Sequence, residues 1–134
     1  MGTGVLVIAE QWDGEFRKVT YEAVSEGRRV ADALGTDVTA VVLGSGIEGI
    51  AGQLGQYGAD KVLVADDAAL AEYTTDAYTN VLSGILSDAD AGVILMGASA
   101  QGKDLAGRLS ARLDAGLAVE CIAITVDGGN LRYC

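Results

Sequence analysis

Histidine and proline are both absent from the 134 residues. Without histidine, no Ser-His-Asp or Cys-His arrangement can be assembled within the chain. The two cysteines, Cys121 and Cys134, lack CxxC spacing and have no histidine to share a metal, which argues against a zinc site. Cys121 lies in an apolar run and reads as a buried free thiol. Cys134 is the last residue and reads as the point where a longer chain was cut. Aromatics make up only 5% of the residues against 50% hydrophobic, so the core is built from Val, Ala, Leu and Ile, as suits a parallel sheet covered by helices. No apolar run approaches the roughly 20 residues of a membrane span. The N-terminus has a short strand-like VLVIA instead of a signal peptide's basic start and longer apolar stretch. A cytoplasmic protein is expected, or a mitochondrial matrix protein read without its transit peptide, with no membrane insertion.

Positive charge is also scarce. Nine Lys and Arg stand against 19 Asp and Glu, for a formal net charge of −10. This argues against nucleic acid as a partner, because phosphates demand a basic face. The carboxylates are spread along the chain and form no acidic tail. Lysine occurs only at Lys18, Lys61 and Lys103. Two readings of this Asp-rich, Lys-poor composition stay open: a high-salt cytoplasm, where dense carboxylates keep a protein soluble, or a GC-rich genome favouring Ala, Gly, Asp and Val.

What is present is an alternation of strand and helix through one domain, residues 1–134. Val5 to Ala9 is an apolar strand, followed by a turn at Asp13-Gly14. Ala23, Val24, Gly27, Val30, Ala31 and Leu34 recur at helical spacing and predict a helix over Val19 to Leu34. Gly35 is placed to end it. Val38 to Leu43 is the second strand. Ser45-Gly46-Ile47-Glu48 has the form of a capping box and predicts a helix with Ile47, Ile50, Ala51 and Leu54 inward. Gly46, Gly49 and Gly52 weaken that helix, and Gly58 ends it. Lys61 to Ala65 is the third strand, before an acidic Asp66-Asp67 loop. Thr74 or Thr75 caps a helix striped by Tyr78, Val81, Leu82, Ile85 and Leu86. Gly92 to Met96 is the fourth strand. A fourth helix from near Gln101 turns Leu105, Ala106, Leu109 and Leu113 inward, with Asp104 and Arg108 spaced for an ion pair. Leu117 to Val126 is a fifth strand, and Asp127-Gly128-Gly129-Asn130 is a hairpin turn. The expected architecture is an open, doubly wound, mostly parallel α/β sheet of about five strands with a short C-terminal hairpin.

Few residues carry chemistry. The loop Gly97-Ala98-Ser99-Ala100-Gln101-Gly102-Lys103-Asp104 joins the fourth strand to its helix. Backbone amides at a helix start can hold an anion, so Gly97, Ser99, Gly102 and Lys103 are phosphate-loop candidates. Glycine spacing and Asp104 after the lysine set the loop apart from a Walker A sequence. The plainer reading is a tight turn whose glycines serve packing. Glu10 follows the first strand directly but is assigned no role, and the turn after it contains no GxGxxG. Trp12 is a partner contact or a packing residue. Asp66 and Asp67 form a poor acid/base pair and read as a solvated loop. Neither a catalytic set nor a metal set is complete.

GASAQGKDLAGRLSARLDAGL, from Gly97 to Leu117, resembles a run in the alpha subunit of electron-transfer flavoproteins. The family pattern is Gly-Ala-[Ser/Thr]-x-x-Gly-[Lys/Arg]-[Asp/Asn]-Leu before a basic helix ending in Leu-Asp and a small residue. VLVIAEQWDGEF (Val5 to Phe16) is similar to the family's opening strand and loop, and YGADKVLVADDAAL (Tyr57 to Leu70) to its third strand. The segment Asp127 to Cys134 resembles the end of the family's first domain. The resemblance covers essentially the whole chain. It implies a Rossmann-like sheet of the adenine-nucleotide alpha-hydrolase-like kind, with strand order 3-2-1-4-5. It implies a non-catalytic scaffold domain of an electron carrier, which passes electrons from flavin dehydrogenases to a quinone-linked acceptor. In that family FAD is held mainly by the alpha subunit's second domain, which has no counterpart here, and AMP by the beta subunit. FAD is therefore not expected to bind this chain alone, and the implied partners are the beta subunit, the second alpha domain and, through the complex, flavin dehydrogenases. The alternative is a small nucleotide-binding module like a universal stress protein, using the Gly97 to Lys103 loop. That family's longer Gly-spaced ATP signature is not found.

Overall fold

The computed structural model describes residues 4–88, 91–97, 99–113, 124–127 and 130–133. Four parallel strands make the main sheet: β1 (Gly4–Ala9), β4 (Val38–Gly44), β5 (Lys61–Asp66) and β6 (Ala91–Met96). Their spatial order is β5-β4-β1-β6. β1 lies at the centre, with Val7 opposite Ala40 on one side and Leu95 on the other. Two short strands, β2 (Gln11–Trp12) and β3 (Glu15–Phe16), form a hairpin just after β1. Asp13 and Gly14 turn it with positive φ of 52° and 81°, a conformation that Gly and Asp tolerate best.

The period-two alternation of the strands divides the core between two faces. Val5, Val7 and Ala9 of β1, with Val38, Ala40 and Val42 of β4, meet helix α1 (Lys18–Leu34). Val24, Val30 and Ala31 supply that helix's buried stripe. Gly27 lets α1 lie close to the sheet: a Cβ there would stand 2.7 Å from Val7. On the other face, Leu6, Ile8, Val41 and Leu43 pack against α3 (Thr75–Asp88) and α4 (Ala100–Leu113) through Tyr78, Leu82, Leu105 and Leu109. Truncating a fully buried leucine such as Leu82 to alanine would cost about 2–5 kcal/mol in lost transfer and cavity energy.

Gly35 ends α1 in the left-handed region, φ 71°, as its position in the sequence predicts. Thr74 caps α3, accepting from Ala77 N–H at 3.4 Å. The helix predicted after β4 is shorter than expected: α2 (Glu48–Ala51) is one turn that tightens into a 3-10 segment, Gly52–Tyr57. Three glycines in a short stretch explain this weakness. The Ser45 capping box does not form. Instead the Asp66 carboxylate, at the end of β5, accepts from Gly46 N–H at 2.8 Å and Ile47 N–H at 3.0 Å. Asp67 accepts from Ala69 N–H at 2.8 Å. Both acids of the supposed solvated loop therefore hold backbone.

Two further expectations are corrected. The first four sheet strands stand in the order 3-2-1-4 as expected, but the described residues add no fifth strand to them. Within the predicted fifth strand, β7 (Ile124–Asp127) pairs antiparallel with β8 (Asn130–Tyr133) as a separate hairpin. Only two residues separate the two strands in sequence, so this local pairing is cheap in loop-closure entropy. The rest of the predicted strand, residues 117–123 with Cys121, lies outside the described residues, as does Cys134. The Asp104–Arg108 ion pair is also replaced: Arg108 pairs with Asp76 on α3. Asp104 accepts from Tyr73 Oη at 2.6 Å and from Thr75 Oγ1. These two hydroxyls hold its pKa below the usual carboxylate range. Contacts between the two helices win because both partners stand across the α3–α4 seam.

Candidate functional site

The C-terminal ends of parallel strands in an open sheet form a crest, and ligands bind there where neighbouring crossovers diverge. In this fold the crest lies between β1 and β6. The residue leaving β1 is Glu10, and the loop leaving β6 runs into α4. A small cleft opens between them, lined by Ile8, Glu10, Tyr78, Gly97, Gln101 and Gly102 among others. Its free volume is about 20 Å³, enough for a water molecule and far short of a nucleotide.

Glu10 connects the crest. Its side chain is 8% exposed. Oε1 accepts from Ser99 Oγ at 2.5 Å, joining residues 89 positions apart. Oε2 stands 3.6 Å from the Arg17 guanidinium but has no hydrogen-bond partner in its buried position. The Glu10 carbonyl accepts from Thr20 Oγ1 at 2.6 Å and from Arg17 N–H at 3.4 Å. Glu10 thus ties the end of β1 to the starts of both α1 and α4. Arg17 lies with its guanidinium carbon 3.9 Å from the Trp12 ring centre. This is the stacking expected of a cation over an aromatic face. Trp12 is otherwise exposed. Gln11 pins the β2–β3 hairpin to the sheet, donating to Leu43 O at 3.1 Å and accepting from Gly14 N–H at 3.0 Å.

Each phosphate-loop candidate now has a place. Ser99 is the N-cap of α4: its Oγ accepts from Gly102 N–H at 3.0 Å. Lys103 N–H donates to Ser99 O at 2.9 Å, and the Lys103 residue is exposed. Gly97 and Gly102 are sites of close approach. A Cβ on Gly97 would stand 2.2 Å from Val19, and one on Gly102 would stand 2.0 Å from Gly97 O. The structure therefore brings Gly97, Ser99 and Gly102 together around the turn, with a carboxylate beside them. Tyr78 closes the cleft, donating to Leu70 O at 3.1 Å. Burial, and next the Glu10 charge, raise its hydroxyl pKa above the ordinary tyrosine value.

Glu10, Arg17 and Thr20 received no role from sequence. The available signal was position alone: Glu10 directly follows an apolar strand, where such sheets place ligand groups. Among the described residues no group of three or more Cys, Asp or Glu is arranged to hold a metal. No described helix is long and apolar enough to cross a membrane.

A family model described as electron transfer flavoprotein domain matches residues 5–133. Protein FixB of Clostridium saccharobutylicum is 49% identical over 127 residues, covering 95% of this chain and 38% of that protein. The electron transfer flavoprotein subunit alpha of Bacillus subtilis is 41% identical over 133 residues, covering 99% of this chain and 40% of that subunit. The acryloyl-CoA reductase electron transfer subunit beta of Anaerotignum propionicum is 42% identical over 123 residues, covering 92% and 34%. The chain thus spans about two fifths of the length of these relatives.

Proposed function

The chain belongs to the electron transfer flavoprotein domain family, and on that premise we propose that it is the first, scaffold domain of an alpha-type subunit. It carries no catalytic set of its own and supports electron transfer through FAD held elsewhere. Electrons enter from flavin dehydrogenases and leave toward a quinone-linked acceptor. A beta subunit, expected to hold AMP, is its partner, with a second alpha domain completing the flavin site. The cytoplasm, or the mitochondrial matrix in a eukaryote, is the proposed location.

The observation that carries this reading is the closed crest. Where a Rossmann-like sheet offers a ligand site, the described residues leave about 20 Å³. Ser99 already caps the helix amide at Gly102, and a buried carboxylate replaces the positive charge a phosphate needs. Domains that bind no ligand at their crest are free to act as packing platforms.

A chimera tests it. The matching residues of the Bacillus subtilis alpha subunit are replaced by this chain, and the product is expressed with that organism's beta subunit. Parental FAD content and reduction by a flavin dehydrogenase are expected. A folded chimera that fails to pair with the beta subunit, or pairs without flavin, would refute the scaffold role.

A further inference from the structure

Resting on that scaffold reading, we propose that the β2–β3 hairpin is the docking point for the beta subunit, with Trp12 entering an apolar pocket edged by Lys or Arg side chains. Trp12 is the most exposed large hydrophobic side chain among the described residues, at 55%. It is also held in place. Arg17 stacks on its ring at 3.9 Å, and Gln11 pins the hairpin through Leu43 O and Gly14 N–H. A ring fixed before contact loses little entropy on binding, and Trp, Tyr and Arg carry most of the energy at protein interfaces. Phe16, paired with Gln11 across the hairpin, begins a line of rings. It meets Tyr21 edge-on at 5.9 Å, and Tyr21 lies 4.3 Å from Tyr57, which is exposed. The hairpin and this line hold four of the chain's seven aromatics, and none of the four is buried. A chain with an aliphatic core has placed its scarce aromatics outside, where interfaces use them.

Charge selects the occupant. Asp13 and Glu15 stand exposed at the turn beside Trp12, and neither has an ion-pair partner among the described residues. A surface that fits this hairpin meets them with cations. A second copy of the chain, at a formal net charge of −10, is repelled, and so is an anionic membrane. A second alpha domain is joined covalently, so a high effective concentration holds it without a concentrated anchor. Contacts between domains of one chain are also the more polar kind. A separate subunit has no tether and needs side chains that contribute strongly, as a rigid, exposed Trp12 does.

The same chimera is tested, with the Bacillus subtilis beta subunit as the probe and analytical ultracentrifugation on dilution as the readout. W12A should weaken pairing about thirtyfold, the loss expected of an interface anchor. D13N/E15Q should slow association and flatten its dependence on salt. V64S, on the edge strand β5, should pair as the parent does. Hydroxyl-radical footprinting serves if W12A does not fold: oxidation of Trp12 in the unaltered chimera should fall several-fold on assembly. W12A, folded, pairing as tightly as the parent would overturn the docking role and leave the scaffold reading standing, as would equal oxidation of Trp12 before and after assembly. Normal pairing by W12A with its two alpha domains unfolding separately would assign the hairpin to the second alpha domain, and also overturn it. An equal loss with V64S would deny the hairpin a special part. Parental association rate and salt slope in D13N/E15Q would overturn the part given to the carboxylates. A parent chimera that does not pair would sink the scaffold reading and this inference with it.

Discussion

The two ends of the central sheet use similar groups to different effect. At the end opposite the crest, Arg28 of α1 bridges Asp60 and Asp32, each at 2.7 Å. It also donates to Gly58 O at 3.2 Å and Thr36 O at 3.3 Å. Asp60 Oδ2 accepts from Val38 N–H as well, at 2.9 Å. These charges are partly exposed, closely paired and committed to holding the connections into β4 and β5. At the crest, the Glu10 carboxylate is buried and the Arg17 pair is looser by almost an ångström. One end is a clamp. The other is a buried carboxylate, bonded to Ser99 and more loosely paired with Arg17, beside a cleft of about 20 Å³.

The glycines separate the ends most sharply. Gly102→Ala should be the most damaging change, because its Cβ would meet the backbone oxygen of Gly97, which cannot rotate away. A loss of roughly 3 kcal/mol is expected by denaturant unfolding, the upper range for overpacking. Gly58→Ala at the clamp should cost less, roughly 2 kcal/mol. Its φ of 121° is strained for alanine, and the Cβ would stand 2.7 Å from Arg28 Cβ, an approach less close than the 2.0 Å at Gly102. Equal losses would break the contrast between the tighter crest turn and the clamp.

Polar substitutions sharpen it further. Ser99→Ala removes the N-cap of α4 and the hydrogen bond to the buried Glu10 carboxylate, and should cost about 2 kcal/mol, with hydrogen exchange rising first in the opening turn of that helix. Exchange unchanged there would show that Ser99 does not cap it in solution. Asp60→Asn should cost less, under about 1 kcal/mol, because the pair is partly exposed and screened. Its signature is pH dependence. The Val38 N–H, and next the Arg28 guanidinium, hold the Asp60 pKa below its ordinary value. Its stabilisation is therefore complete above the ordinary carboxylate range and is lost as pH falls through the depressed folded value. Unfolding followed from neutral pH down into that range should show a shallower acid limb in the variant. Parallel limbs would remove Asp60 from the account.

Much of the fold was legible because local pattern and tertiary structure agree. The apolar runs at Val5 to Ala9 and Val38 to Leu43 become buried strands, and Gly35 and Thr74 end and start their helices as expected. The failures share a cause: the deciding partner was distant in sequence. Ser45 had the spacing of a cap, yet Asp66 reached Gly46 and Ile47 first. Asp104 had Arg108 four residues away, yet Tyr73 and Thr75 took it. At the site, sequence picked out Gly97, Ser99 and Gly102 but not what faces them. Glu10 and Ser99 stand 89 positions apart, and no periodicity encodes such a pair.

Equilibrium dialysis of the purified chain against FAD tests the central claim most directly. If the domain is a scaffold with a closed crest, flavin absorbance will equalise across the membrane and the protein will remain colourless. A yellow protein retaining one FAD per chain would contradict it.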